Sequence, residues 1–170
     1  MPHDASHDTQ PWRDLIANAL AWAEAHVTFD AAVNDLDPAL RGVRPEGTPH
    51  SVWELVEHLR IAQQDLRIDL TRGDAPPMAW PDDYWPSDPA PPSPAAWQAS
   101  IDAFVRDRAA LIELARDRSL DLTTAVPWGD GRTYLRGLLL AIDHGAYHVG
   151  QIVEVRRRLG AWTRPGTDLA

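Results

Sequence analysis

Four stretches of this chain repeat apolar residues every three to four positions, and that period admits one kind of structure. In residues 133–159 the set is Leu135, Leu138, Leu139, Ile142, Val149, Ile152 and Val155. A 3.6-residue period gathers such a set on one stripe of an α-helix, whereas a strand would require alternation. The same spacing runs through residues 12–36 (Leu15, Ile16, Ala19, Leu20, Ala23, Val27, Val33) and 51–70 (Val52, Leu55, Leu59, Ala62, Leu66). It returns in residues 93–114, through Trp97, Ile101, Phe104, Val105, Leu111 and Ile112. A helix apolar along one stripe is stable in water only when that stripe is covered. Four such helices predict an all-α four-helix bundle.

The punctuation agrees. Ser51 and Glu54 have the spacing of a capping box, and Ser93-Pro94 is a cap followed by proline in the first turn. Gly73 and Gly160 stand where the second and fourth helices should stop, and Pro38 lies just beyond the first. Residues 122–126, LTTAV, have the composition of a short extended piece. The connection between helices two and three, residues 73–93, is unusually long and rich in proline. It carries Trp80, Tyr84 and Trp85, so an ordered crossover packed over the bundle is expected.

Composition narrows the function. The chain has 170 residues, enough for one domain spanning 1–170, with residues 1–10 as a polar tail. It has no cysteine, which excludes disulfides, a thiol nucleophile of its own and zinc held by thiolates. Its net charge of -9 repels phosphate backbones, so nucleic acid is not an expected partner. The basic run Arg156-Arg157-Arg158 sits before Gly160, where cations complement a helix C-terminus. The first residues carry no basic-then-apolar signal, and no apolar run has the length of a membrane span. A soluble, cytoplasmic protein is expected.

Two of the 7 histidines, His144 and His148, lie one helical turn apart on a face that continues through Ala141, Gln151 and Val155. Each buried imidazole left without a partner costs roughly 1–3 kcal/mol, and a divalent metal satisfies both at once. The protease motif that uses this spacing has Glu after the first histidine, where this chain has Gly145. A di-iron carboxylate motif has Glu three residues before a histidine, where Leu55, Ala141 and Gly145 stand. His58, in the stripe of the second helix, is the expected third ligand. His26 is a candidate fourth ligand, pocket acid/base or hydrogen-bonded core residue. His50 is expected to be exposed, and His3 and His7 to be idle in the tail. Asp143, Glu54, Glu57 and Gln151 are candidate supporting groups, with Glu54 placed to orient the His58 ring.

The pair of segments SVWELVEHLRIAQ and DHGAYHVGQI resembles the DinB/YfiT-like superfamily of metal-binding four-helix bundles, over essentially the whole chain in helix order. The resemblance implies one divalent ion per chain (nickel, zinc or iron) at His58, His144 and His148, and a homodimer. It also implies a small-molecule substrate, with a low-molecular-weight thiol as cosubstrate in some relatives. No catalytic residue is assigned. Two functions remain open: a metal-dependent enzyme, either a thiol-type transferase or a small hydrolase, and a non-catalytic metal-binding or dimerisation module. A pocket opening onto the metal favours the first, and a closed four-coordinate site, for instance through His26, favours the second.

Overall fold

Every helix leaves backbone groups unpaired at its ends, and in this chain the residues that satisfy them define the elements. The computed structural model describes residues 10–21, 25–74 and 76–162. Among these are five α-helices: α1 Gln10–Ala19, α2 Phe29–Val33, α3 Val52–Thr71, α4 Pro94–Arg116 and α5 Tyr134–Arg158. The Ser51–Glu54 capping box opens α3, Ser93 with Pro94 opens α4, and Thr133 opens α5. Gly73 and Gly160 follow α3 and α5 with φ of 71° and 66°, the left-handed conformation that ends helices. The expected extended piece contributes one isolated antiparallel bridge, Ala125 with Thr133. Among the described residues, no helix is long and apolar enough to cross a membrane.

The single first helix expected over residues 12–36 is two helices. The α1 helix stops at Ala19, and the Thr28 hydroxyl accepts from the Ala31 amide to start α2. A Thr with a free N–H three residues on is a start signal, and it outranks the apolar period that runs across it. Phe29 anchors α2 by packing its ring 4.1 Å from that of Phe104. The polar tail before residue 10, with His3 and His7, and Ala23 lie outside the described residues. Leu15 and Leu139, placed in the inward stripes, are 60% and 51% exposed.

The α3 helix packs against both α4 and α5, and α1 packs against α4. α3 and α5 run antiparallel, since His58 lies beside His148 and Leu70 beside Gly137. A Cβ on Gly137 would fall 2.5 Å from Leu70 Cδ2, so the missing side chain sets how closely the two helices approach. Two buried arginines finish helix ends from neighbouring elements. Arg13 of α1 donates to the carbonyls of Ala115, Asp117 and Leu120, closing the C-terminus of α4. Arg156 of α5 donates to Ala32 O (2.7 Å) and Asn34 O (2.8 Å), closing α2.

The core is divided. One apolar cluster contains Phe29, Val52, Val56, Leu59, Trp97, Phe104, Val149 and Ile152. The other contains Leu66, Leu70, Leu111, Leu122, Tyr134 and Leu138. Between them on α3, α4 and α5 lies a polar level that includes Gln63, Asp107 and the histidines of α5. The Gln63 amide donates to Phe104 O at 2.7 Å, and Asp107 forms an ion pair with Arg67 at 3.0 Å. Burying a leucine contributes about 1.5–3 kcal/mol, so the two clusters hold the helices in register while the level between them carries polar groups.

The described residues of the long connection between α3 and α4 lie over the bundle, with aromatic residues at the contact. Tyr84 and Trp85 are half-buried, and Trp85 packs on the first cluster. The Ser51 hydroxyl, while capping α3, donates to Pro89 O and ties the connection to the helix start. Trp80 departs from the expected burial: it is 73% exposed and meets Tyr84 edge-on at 5.2 Å.

Candidate metal centre

Histidines at i and i+4 project from one face of a helix, and on α5 that face turns toward α3. His58 comes from the facing turn of α3 and is 1% exposed. Its Nε2 lies 3.0 Å from His144 Nε2 and 3.2 Å from His148 Nε2. The three residues reached from spacing alone are therefore brought together, each offering one nitrogen to a common point. Among the described residues this group has no fourth histidine, aspartate or glutamate.

The proton positions follow from the partners. His58 Nδ1 lies 2.8 Å from Tyr84 O, a carbonyl that can only accept, so Nδ1 carries the proton. His148 Nδ1 donates to Gln151 Oε1 at 2.6 Å. Both rings therefore turn a bare lone pair inward, at nitrogens 3.2 Å apart. Protonating His144 Nε2 would pair one of these nitrogens and leave the other facing a lone pair. A cation at the common point relieves all three. The spacing fits such an ion: metal–nitrogen bonds of about 2.0–2.1 Å at angles of roughly 90–109° separate the nitrogens by about 2.9–3.4 Å.

The electrostatics favour the same occupant. Burial pushes the His144 imidazole down to about 4, helped by the neighbouring His58. Burial likewise takes His148 to about 4, with His144 and His58 adding to it. His58 is lowered by burial despite its bond to Tyr84. All three are neutral at pH 7, the form in which an imidazole binds a metal.

Aromatic stacking fixes the His58 ring. Trp85 lies flat on it at 3.9 Å and 5°, and His50 covers the other face of Trp85 at 4.0 Å and 9°. His50 is thus half-buried in a stack rather than exposed. Gln151 has the supporting role expected of it. Glu54 does not: it is bound to Arg44 and to the Ser51 amide, which the capping box requires. Glu57 pairs with Arg60 and accepts from the Ser100 hydroxyl. Asp143 is exposed. His26 falls in the segment between α1 and α2 and is exposed, with Nδ1 2.8 Å from Val27 O. The helical face that would have aimed it inward does not exist there.

A cavity of about 320 Å³ adjoins the cluster at His144 and Gly145. Its walls include Leu59, Phe104 and Leu140, and it extends to Asp65, Asp69 and Arg132. These residues escaped the sequence reading, although Asp65 and Asp69 follow His58 by 7 and 11 positions and so share its side of α3. Tyr84 links the two ends. Its carbonyl orients His58 and its hydroxyl donates to Asp65 at 2.6 Å.

Comparison with known proteins bears on the whole arrangement. The family model for the DinB superfamily matches residues 21–152. The chain belongs to the DinB superfamily. No curated protein and no solved structure matches it. The DinB match spans α2 to α5 up to Ile152, and so includes all three histidines of the cluster. DinB membership and the cluster together fit metal binding.

Proposed function

We propose that this protein is a metal-dependent enzyme in which His58, His144 and His148 hold one divalent cation and leave a position open toward the cavity, for transfer chemistry involving a low-molecular-weight thiol. One observation carries this reading: three inward-facing nitrogens have no fourth donor among the described residues and stand beside a cavity large enough for a small molecule. Stapling is a weak alternative reason for the ion, since a bundle of this size buries its own core. Imidazole donors suit zinc, nickel and iron. A bound divalent ion lowers the pKa of a thiol or water that reaches it.

The chain's own residues do the rest by position. Tyr84 and Gln151 hold two imidazoles in the tautomer that offers Nε2. Leu59 and Phe104 form apolar walls that keep bulk water from the approach to His144. With no cysteine in the chain, the thiol arrives with a cosubstrate. The exposed Leu139 and Tyr147 on the outer side of α5 support a homodimer through that helix, which sedimentation of Leu139→Glu beside the unaltered chain tests.

Metal analysis of protein purified without a histidine tag is the first test, with one ion per chain expected and most of it lost on changing any one of the three histidines to Ala. A cobalt- or nickel-substituted form should then change its spectrum on adding thiol or azide. An unchanged spectrum at saturation sinks the transferase reading and leaves a non-catalytic module. Turnover of an ester without thiol would instead favour a hydrolase.

A further inference from the structure

The cavity beside His144 has two chemically different ends. Near the imidazoles it is mostly apolar, with Leu59, Ala62, Phe104, Leu140 and Ala141 around it beside the Gln63 amide. Its far end is bounded by Asp65, Asp69, Arg132 and the rings of Tyr84 and Trp80. Asp65 lies 7 residues beyond His58 on the same helix. At a rise of about 1.5 Å per residue the two ends are about 10 Å apart.

The charged groups at the far end do not balance. Among the described residues Arg132 is the one cation lining the cavity, and it is engaged by Asp69 at 3.1 Å and by Asp130 at 3.0 Å. Its contact with Asp69 Oδ2 is close but misaligned, and that buried oxygen receives no hydrogen bond. Asp65 accepts from the Tyr84 hydroxyl through Oδ2. The Tyr84 phenol is pushed up to about 12 by burial and by Asp65, so it stays a donor and does not add a charge. Two carboxylates against one committed guanidinium leave net negative charge at this end, with Asp65 as the acceptor that borders the cavity. A carboxylate or phosphate ligand would meet repulsion there. A protonated amine would supply the missing donors, and the faces of Trp80 and Tyr84 would add cation–π attraction.

We propose that the small molecule this cavity takes carries a protonated amine about 10 Å from its metal-directed end, received by Asp65 with the charge of Asp69 beyond it, and with an apolar body between. This rests on the reading of the cluster as a metal centre open to that cavity. It defines the substrate class as an amino-functionalised small molecule and predicts rejection of the matching acid. Gly145 contributes to the selection by omission, since a Cβ there would meet nothing within 4 Å and a larger side chain would occupy the cavity.

The test uses cobalt-loaded full-length protein and four probes of matched length: 6-aminohexane-1-thiol, 6-mercaptohexan-1-ol, 6-mercaptohexanoate and n-hexylammonium. The cobalt spectrum reads the thiol end, and calorimetry reads total affinity. The aminothiol should bind about tenfold tighter than the alcohol, with the acid weakest. Asp65→Asn should remove the preference without altering cobalt content, and Gly145→Leu should block all four probes while cobalt stays bound. Equal affinity for the three thiols, or preference for the acid, overturns the amine subsite and leaves the metal–thiol reading intact. A silent cobalt spectrum with Asp65-dependent binding of n-hexylammonium overturns the thiol reading and upholds the subsite. The ranking of probes in the unaltered protein decides the proposal even if a variant fails to fold.

Discussion

Replacing Gln151 with Leu should weaken metal binding far more than it weakens the metal-free fold. In the metal-bound form the His148 Nδ1–H needs the Gln151 carbonyl oxygen, 2.6 Å away, because Nε2 is committed to the ion. Leucine leaves that N–H unsatisfied, and losing such an orienting partner typically lowers metal affinity 10–100-fold, or about 1.4–2.7 kcal/mol. In the metal-free form the proton has an alternative. It can move to Nε2 and donate to His58 Nε2, 3.2 Å away, which also removes the lone-pair conflict. The metal-free loss should therefore stay under about 1 kcal/mol. Gln151→Glu keeps the acceptor, strengthens it, and should bind metal at least as tightly as the unaltered chain. Competition against a chromogenic chelator measures the first quantity, and thermal unfolding in excess chelator the second. Equal affinity in Gln151→Leu and the unaltered chain would refute the tautomer argument. So would an affinity loss matched by an equal loss of metal-free stability.

Below neutral pH the metal-free protein should lose stability, because His144 and His148 have folded-state values of about 4 against about 6.5 when unfolded. The unfolded chain then binds more protons, so stability is fully present above pH ~6.5 and falls as pH drops toward 4, by about 2–4 kcal/mol for the pair after allowance for solvent screening; denaturant midpoints from pH 7.5 to 4.5 check this. Arg13→Ala removes three hydrogen bonds at the end of α4 and should cost about 3 kcal/mol, read by the same method. Gly137→Ala should destabilise by about 1–2 kcal/mol despite its better helix propensity, because Leu70 is fully buried and cannot retreat from the added methyl; a rise in melting temperature would contradict the close α3–α5 approach. Stripping metal should lower the melting temperature while leaving helix content by circular dichroism nearly unchanged, since a ligand at 100 times its Kd adds only about 2.7 kcal/mol.

The sequence exposes what is repeated or local and hides what depends on the path of a loop. The three histidines were legible because two share a helix face by spacing and the third interrupts an apolar stripe. Caps at Ser51 and Ser93 were legible because each is a contact within one turn. The break after α1 was missed because Val27 and Val33 continue the period on either side of Thr28. The His58 orienter was assigned to Glu54 one turn away, yet it is the carbonyl of Tyr84, and a carbonyl belongs to every residue and marks none. Leu139 shows the limit of counting periods: one stripe defines a direction, not the width of the neighbour that covers it.

The imidazoles and the carbonyl that orients one of them come from residues 58, 84, 144 and 148, and the outermost pair is 90 positions apart. A polypeptide made from its N-terminus presents His58 long before the others exist. Helix formation is fast and local, while closing a contact across that separation is slow. An ion held by this cluster would therefore be captured late in the life of each molecule. A chain halted before residue 144 displays one histidine of the set and has no multidentate grip. Incomplete copies would then leave such an ion to molecules whose last helix has docked.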